Sequence, residues 1–222
     1  MDMTSTNPGN YKGASYDQDT IYTVTSWARS VCNGGAGGTR GFVGTGNQFW
    51  AGINSANPGK YRLTFGGAGD EVDSTTDAGW AHVAATANGA SGGEMFINGA
   101  SEATDASAVE NETNLPLGLY GAASTGNNFC GLLGDIRLYG HVLSDNMIAH
   151  IANMRGGDKV VYGLQAWWMP TPTGTFGSSV AAADLVDHSG QGQAMTSLTG
   201  NAATYTKSAL FPHRRSRRRH GG

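Results

Sequence analysis

From Thr20 to Ser30 the chain reads Thr-Ile-Tyr-Thr-Val-Thr-Ser-Trp-Ala-Arg-Ser. β-Branched and aromatic residues alternate with small polar ones at a period of two, which predicts a half-buried strand. Shorter runs of the same kind recur at 48–53, 61–65, 80–86, 94–97, 115–120, 132–139 and 163–169. Asn57-Pro58-Gly59, Asn88-Gly89 and Asn98-Gly99 separate them, supplying residues that accept positive φ or preset a turn. One stretch follows a helical period instead. Met147, Ile148, Ile151 and Met154 form an apolar stripe, Ser144 stands where a cap belongs, and Gly156-Gly157 ends the run. Asp145 and Arg155 sit at the ends that suit the helix dipole. Trp167 and Trp168 are neighbours, so a strand there must send them to opposite faces.

Composition agrees with a many-stranded reading. Of 222 residues 35 are glycine and 14% are charged, too few charges for the solvated faces of a helical protein. The glycines follow no three-residue period and only 6 prolines accompany them, which excludes collagen. An all-β domain remains, and β sandwiches of this length fold as one unit.

The formal charge of −3 hides an asymmetry. Residues 1–212 carry 9 Lys and Arg against 17 Asp and Glu, a balance of −8, whereas 213–220 hold Arg214, Arg215, Arg217, Arg218 and Arg219. An acidic body disfavours general nucleic-acid binding, because duplex affinity comes mainly from neutralised phosphates. The arginine run is read as a solvated end, as a strap docking on an acidic surface of its own or a neighbouring subunit, or, third, as a nucleic-acid contact. No apolar stretch approaches the ~18 residues of a membrane span, and the first ten residues lack the basic and apolar regions of an export signal.

Four stretches taken in order resemble the LamG-like branch of the concanavalin A-like lectin/glucanase superfamily. They are Tyr22–Ala28, Gly79-Trp-Ala-His-Val-Ala-Ala-Thr86, Gly93-Glu-Met-Phe-Ile-Asn-Gly99, and Gly131-Leu-Leu-Gly-Asp-Ile-Arg-Leu-Tyr139 with Val142-Leu-Ser144. The last is the most specific, and all lie within residues 15–157. The resemblance implies an all-β jelly-roll sandwich of two antiparallel sheets with one short helix. Residues 1–157 would form the body, 158–212 a segment completing the sandwich or pairing with a neighbour, and 213–222 an Arg-rich tail. Gly163–Met169 and Asp187–Gly192 are similar to the family's opening strand and turn, displaced to the end of the chain. Similar domains occur in structural proteins of environmental tailed phages.

Several residues are candidates for chemistry. Glu71-Val72-Asp73 resembles the catalytic E-x-D-x-x-E strand of the superfamily's glucanases, but Thr76 replaces the last Glu and the surrounding Ser, Thr and Asp read as a loop. Asp187 and Asp135 resemble positions that hold a structural Ca²⁺ in some relatives; an Asx turn is the alternative for Asp187. The resemblance also sets the strand of Trp27 beside that of Ile136. A register opposing Trp27 to Asp135 would face Cys32 to Cys130, as a disulfide, as neighbouring thiols, or as unrelated buried cysteines if the register differs. Trp50, Tyr61 and Tyr120 are candidate glycan platforms, each fitting a sheet core equally well. His82 reads as a strand residue and His150 as a helix surface residue.

The expected function is a non-enzymatic interaction protein, a virion-surface structural or decoration subunit, with a carbohydrate-binding lectin as the alternative and a glycoside hydrolase third. It implies no cofactor beyond structural calcium. Expected partners are copies of itself, other virion proteins and glycans, with no membrane, and the expected location is the virion surface or outside cells.

Overall fold

The alternation at 20–30 becomes a strand near the middle of a sheet, and both of its faces are buried rather than one. Tyr22, Val24 and Ala28 enter the core between two sheets, while Thr23, Thr25 and Trp27 on the other face lie under a helix and the chain beyond it. The computed structural model describes residues 10–30, 39–44, 50–54, 59–65, 70–77, 79–110, 112–119, 129, 131–169 and 179–199.

The strands in chain order are β1 Asn10–Gln18, β2 Ile21–Ser30, β3 Thr39–Gly44, β4 Trp50–Asn54, β5 Lys60–Thr64, β6 Glu71–Asp77, β7 Ala81–Asn88, β8 Gly93–Ile97, β9 Ala100–Asp105, β10 Glu112–Leu119 and β11 Gly131–Tyr139. Helix α1 Asp145–Met154, β12 Leu164–Trp168 and β13 Met195–Thr199 follow. They form a seven-stranded sheet, β13-β1-β10-β3-β4-β5-β6, and a six-stranded sheet, β12-β11-β2-β7-β8-β9. Neighbouring strands run antiparallel in both. Residues 71–77, which read as a loop, form strand β6 instead. Val72 and Ser74 face inward and are buried, and Glu71 and Asp73, which alternate with them, pair outward.

The core between the sheets joins Tyr22, Val24, Val83, Met95, Ile136, Leu138 and Trp168 to Tyr11, Val43, Ile53, Tyr61, Leu63 and Val72. Two clasps close the sandwich at its sides. Glu102 on β9 accepts hydrogen bonds from Thr75 N, Thr75 Oγ1 and Thr76 N at 2.8, 2.6 and 2.9 Å, tying β9 to β6 across the gap between sheets. These bonds outweigh the upward pull of burial and hold the Glu102 carboxyl below its ordinary range. On the other side Trp168 donates from Nε1 to the Gln193 carbonyl at 2.6 Å, just ahead of β13. Residues 164–199 thus add an edge strand to each sheet: β12 pairs with β11, and β13 with β1.

Opposite Trp27 stands Gly134, not Asp135. A bulge between Gly134 and Arg137 shifts the register, with Asp135 at φ 50°, a left-handed conformation that Asp tolerates better than most residues. Cys32 and Cys130 lie outside the described residues. Helix α1 starts where expected, but Ser144 makes no side-chain cap. Its buried stripe is Ile148, Ile151 and Ala152, while Met147 and Met154 are exposed.

Candidate functional site

The two outer faces of the sandwich offer different chemistry. On the seven-stranded side, Glu71 and Asp73 project from β6 two residues apart, opposite Arg62 of β5. Arg62 donates to Asp73 from Nε at 2.6 Å and from Nη2 at 2.8 Å, and pairs through Nη1 with Glu71. A glycosidic bond could reach between the carboxylates only by displacing this guanidinium, and the third acid of the glucanase pattern is Thr76.

On the six-stranded side, Arg137 lies buried between two aspartates. It donates to Asp135 at 2.8 and 2.9 Å and to Asp158, beyond the helix, at 2.6 and 2.9 Å. Trp167 covers the cluster: its ring stacks on the guanidinium, 4.6 Å from its centroid, and its Nε1 donates to Asp135 at 2.8 Å. Burial raises the Asp158 carboxyl, but the bonds from Arg137 and the Val160 N–H prevail and hold it below the ordinary range. Asp158 is thereby a latch that fastens the segment after α1 onto the sheet.

Asp187 does not approach this cluster as a second ligand. Its carboxylate accepts from Trp167 N, Ser189 N, Ser189 Oγ and Gln193 N at 3.0, 2.9, 2.8 and 2.8 Å, an Asx turn that shapes residues 187–193. Burial pushes this carboxyl up, and those donors bring it below its usual value. Among the described residues no group of three or more His, Cys, Asp or Glu converges on a point where a metal ion could sit.

A pocket of about 210 Å³ opens beside the latch, lined by Trp27, Asn98, Ala152, Asn153 and Arg155. Each residue has a local reason to be there. The Ile97–Ala100 hairpin turns through Asn98 and Gly99 at φ 53° and 84°, as an Asn-Gly turn does. A Cβ at Gly99 would lie 2.7 Å from the Ala149 Cα, so only glycine lets α1 settle on this turn. The last turn of the helix therefore reaches Asn98 and brings Asn153 and Arg155 to the same rim. Asn98 accepts from the His82 N–H through Oδ1 at 3.1 Å, leaving its amide donors. Trp27 packs against Trp80 and the His82 ring with centroids 6.0 and 5.6 Å apart. The Trp27 indole N–H and both His82 ring nitrogens are buried without a hydrogen-bond partner. Burial, helped by Arg137, lowers the His82 pKa to about 3, so the ring is neutral at ordinary pH.

The profile of the concanavalin A-like lectin/glucanases superfamily matches residues 7–149. The chain belongs to this superfamily. Among solved structures with its sandwich is a Bacteroides ovatus protein provisionally named as carbohydrate-binding, which aligns with a TM-score of 0.60 at 16% identity. The alignment covers 93% of this chain but 62% of that protein, less than two thirds of its length. The SAP-like pentraxin of Limulus polyphemus aligns at TM-score 0.48 and 12% identity over 68% of this chain and 79% of its own. The likeness to the Bacteroides ovatus protein concerns the fold alone. No curated protein matches the chain in sequence.

Of the three aromatic residues expected as glycan platforms, Tyr61 is the one whose side chain is described. Tyr61 is fully buried, its hydroxyl within 2.8 Å of the Ala28 carbonyl and 2.7 Å of the Gly79 carbonyl, because its place in β5 points between the sheets. Trp50 contributes its backbone to β4; its side chain, all of Tyr120 and the arginines 214, 215, 217, 218 and 219 lie outside the described residues. The sequence pattern does not mark Asn98, Asn153 or Arg155 as lining a pocket, because each has an ordinary local role, in a turn, on a helix surface and at a helix end.

Proposed function

We propose that the chain is a non-catalytic carbohydrate-binding module. The observation that carries this reading is the pocket between α1 and the Asn98–Gly99 turn, where an indole and two carboxamides meet. Aromatic faces pack against the C–H faces of a sugar ring, and carboxamides both donate to and accept from its hydroxyls. At about 210 Å³ the pocket is smaller than sites for drug-sized ligands, which run from roughly 300 Å³ upward, and fits one sugar unit better than a long oligosaccharide. The superfamily and the carbohydrate-binding name given to the Bacteroides ovatus relative support the same reading. Arg62 between Glu71 and Asp73 favours binding without hydrolysis.

A glycan array tests it. Asn153→Ala is expected to weaken binding of every positive glycan at least fivefold without loss of stability, and Glu71→Gln to leave binding unchanged. Binding that survives Asn153→Ala would move the site elsewhere. The contrast between the acidic body and the arginines of 213–220 supports a second, compatible role. In it the module is an assembly subunit, displayed on a virion surface or otherwise outside cells, whose tail straps onto a neighbour. Replacing the five arginines with serine should then lower the oligomeric state measured by light scattering; an unchanged mass would refute the strap.

A further inference from the structure

We propose that this pocket selects a carboxylate-bearing sugar unit, a uronic acid, through Arg155. The inference rests on the carbohydrate-binding reading and adds the class of sugar. Arg155 is the one charged side chain of the lining, and it has no acidic partner among the described residues. The contrast within the molecule is direct: Arg62 and Arg137 are each held by two carboxylates, in a body whose charge balance is −8. A guanidinium left unpaired in such a body is free to meet an anion from outside, and its planar fork matches a carboxylate with two parallel hydrogen bonds.

The rest of the lining is also rich in donors. Asn98 has given its carbonyl oxygen to the His82 N–H and keeps its amide hydrogens. Trp27 also lines the pocket, at 7% exposure, with its indole N–H buried. Asn153 adds a second carboxamide. A wall of donors without a carboxylate calls for a ligand rich in acceptors, which an ionised uronic acid supplies beyond the hydroxyls of a neutral sugar. Arg155 also stands in a left-handed conformation, φ 48°, where glycine is the easier choice and Gly156 and Gly157 follow at once.

Titration of the full chain with methyl glycosides of glucuronic, galacturonic and mannuronic acid, each beside its neutral parent sugar and its methyl ester, tests this. At least one acid is expected to bind ten times or more tightly than its parent and its ester, with the advantage shrinking as salt rises. Arg155→Gln should bring the ratio close to one while leaving Tm unchanged. Lys159→Gln, the same charge change at an exposed neighbour, should leave the ratio within twofold. Asn153→Asp should reverse the preference toward the ester. Equal binding of acid and parent, or a ratio that survives Arg155→Gln, overturns the inference and leaves the carbohydrate reading standing. Tighter binding of glucose 6-phosphate than of any uronate overturns the carboxylate in favour of a phosphate. Binding of no sugar at all by the folded chain overturns both.

Discussion

The molecule uses the same three groups twice, an arginine between two carboxylates, in opposite surroundings. Glu71 and Asp73 on the edge strand β6 and Arg62 on its neighbour β5 have side-chain exposures of 32, 36 and 16%. Arg137, Asp135 and Asp158 lie beneath Trp167 and the chain after α1, with exposures of 1, 2 and 0%. Water screens the first triad, so its members contribute little to stability. The second is removed from water, so each member compels the presence of the others. The first fills the position where a hydrolase would place its acids. The second fastens the segment that carries Arg155 against the sheet, and so shapes the pocket.

Replacing the arginines tests this difference most severely. Arg137→Met leaves two buried carboxylates uncompensated and should cost about 3–5 kcal/mol in denaturant unfolding, whereas Arg62→Met should cost less than ~1 kcal/mol. Similar costs would mean that burial does not distinguish the triads. Gly99→Ala comes next. It meets both a left-handed backbone, costing roughly 1–2 kcal/mol, and the Ala149 backbone, so it should lose at least ~2 kcal/mol and weaken sugar binding by displacing α1.

Acid sharpens the contrast further. His82 is neutral in the folded protein down to about pH 3, while the unfolded chain takes up its proton near the ordinary value of about 6.5. Between those values the unfolded state binds the extra proton, so stability falls as pH falls, by up to ~1.4 kcal/mol per pH unit. His82→Phe should flatten the slope between pH 6.5 and 4.5. The Asp158 carboxyl acts lower: with its folded value depressed, its contribution is present above the ordinary carboxylate range and is lost as pH falls through the folded value. The smallest effect concerns Asp187 and Asp135. Their oxygens already face N–H and O–H donors, so EDTA or added Ca²⁺ should leave Tm unchanged.

Much of the sandwich was legible where strands follow an apolar alternation. The strands at Ile21–Ser30 and Ala81–Asn88, the Asn98-Gly99 hairpin and the helix stand close to where the sequence indicates. Strand β6 was hidden because Glu-Val-Asp-Ser-Thr-Thr-Asp has a single apolar residue. It is extended because Arg62 and Glu102 take its polar side chains from two directions, a condition set by tertiary structure. The bulge at Asp135 was equally silent, since Asp enters the left-handed region without needing a glycine beside it. Tyr61 looked like a platform because aromatic residues in a strand leave face and register open, and its partners turned out to be carbonyls inside the sandwich. The pocket was illegible for a different reason. Trp27, Asn98 and Arg155 come from three separate segments, joined only when Gly99 lets the helix down onto the turn.

The central claim is that the helix side, rather than the carboxylate edge, meets the ligand. Backbone and indole N–H spectra of the full chain, recorded while titrating the tightest-binding sugar from the array, address it directly. The account predicts shifts in the Trp27 indole, Asn98, Asn153 and Arg155 signals with those of Arg62, Glu71 and Asp73 unmoved. Shifts centred on Glu71 and Asp73, with the Trp27 indole unaffected, would contradict it.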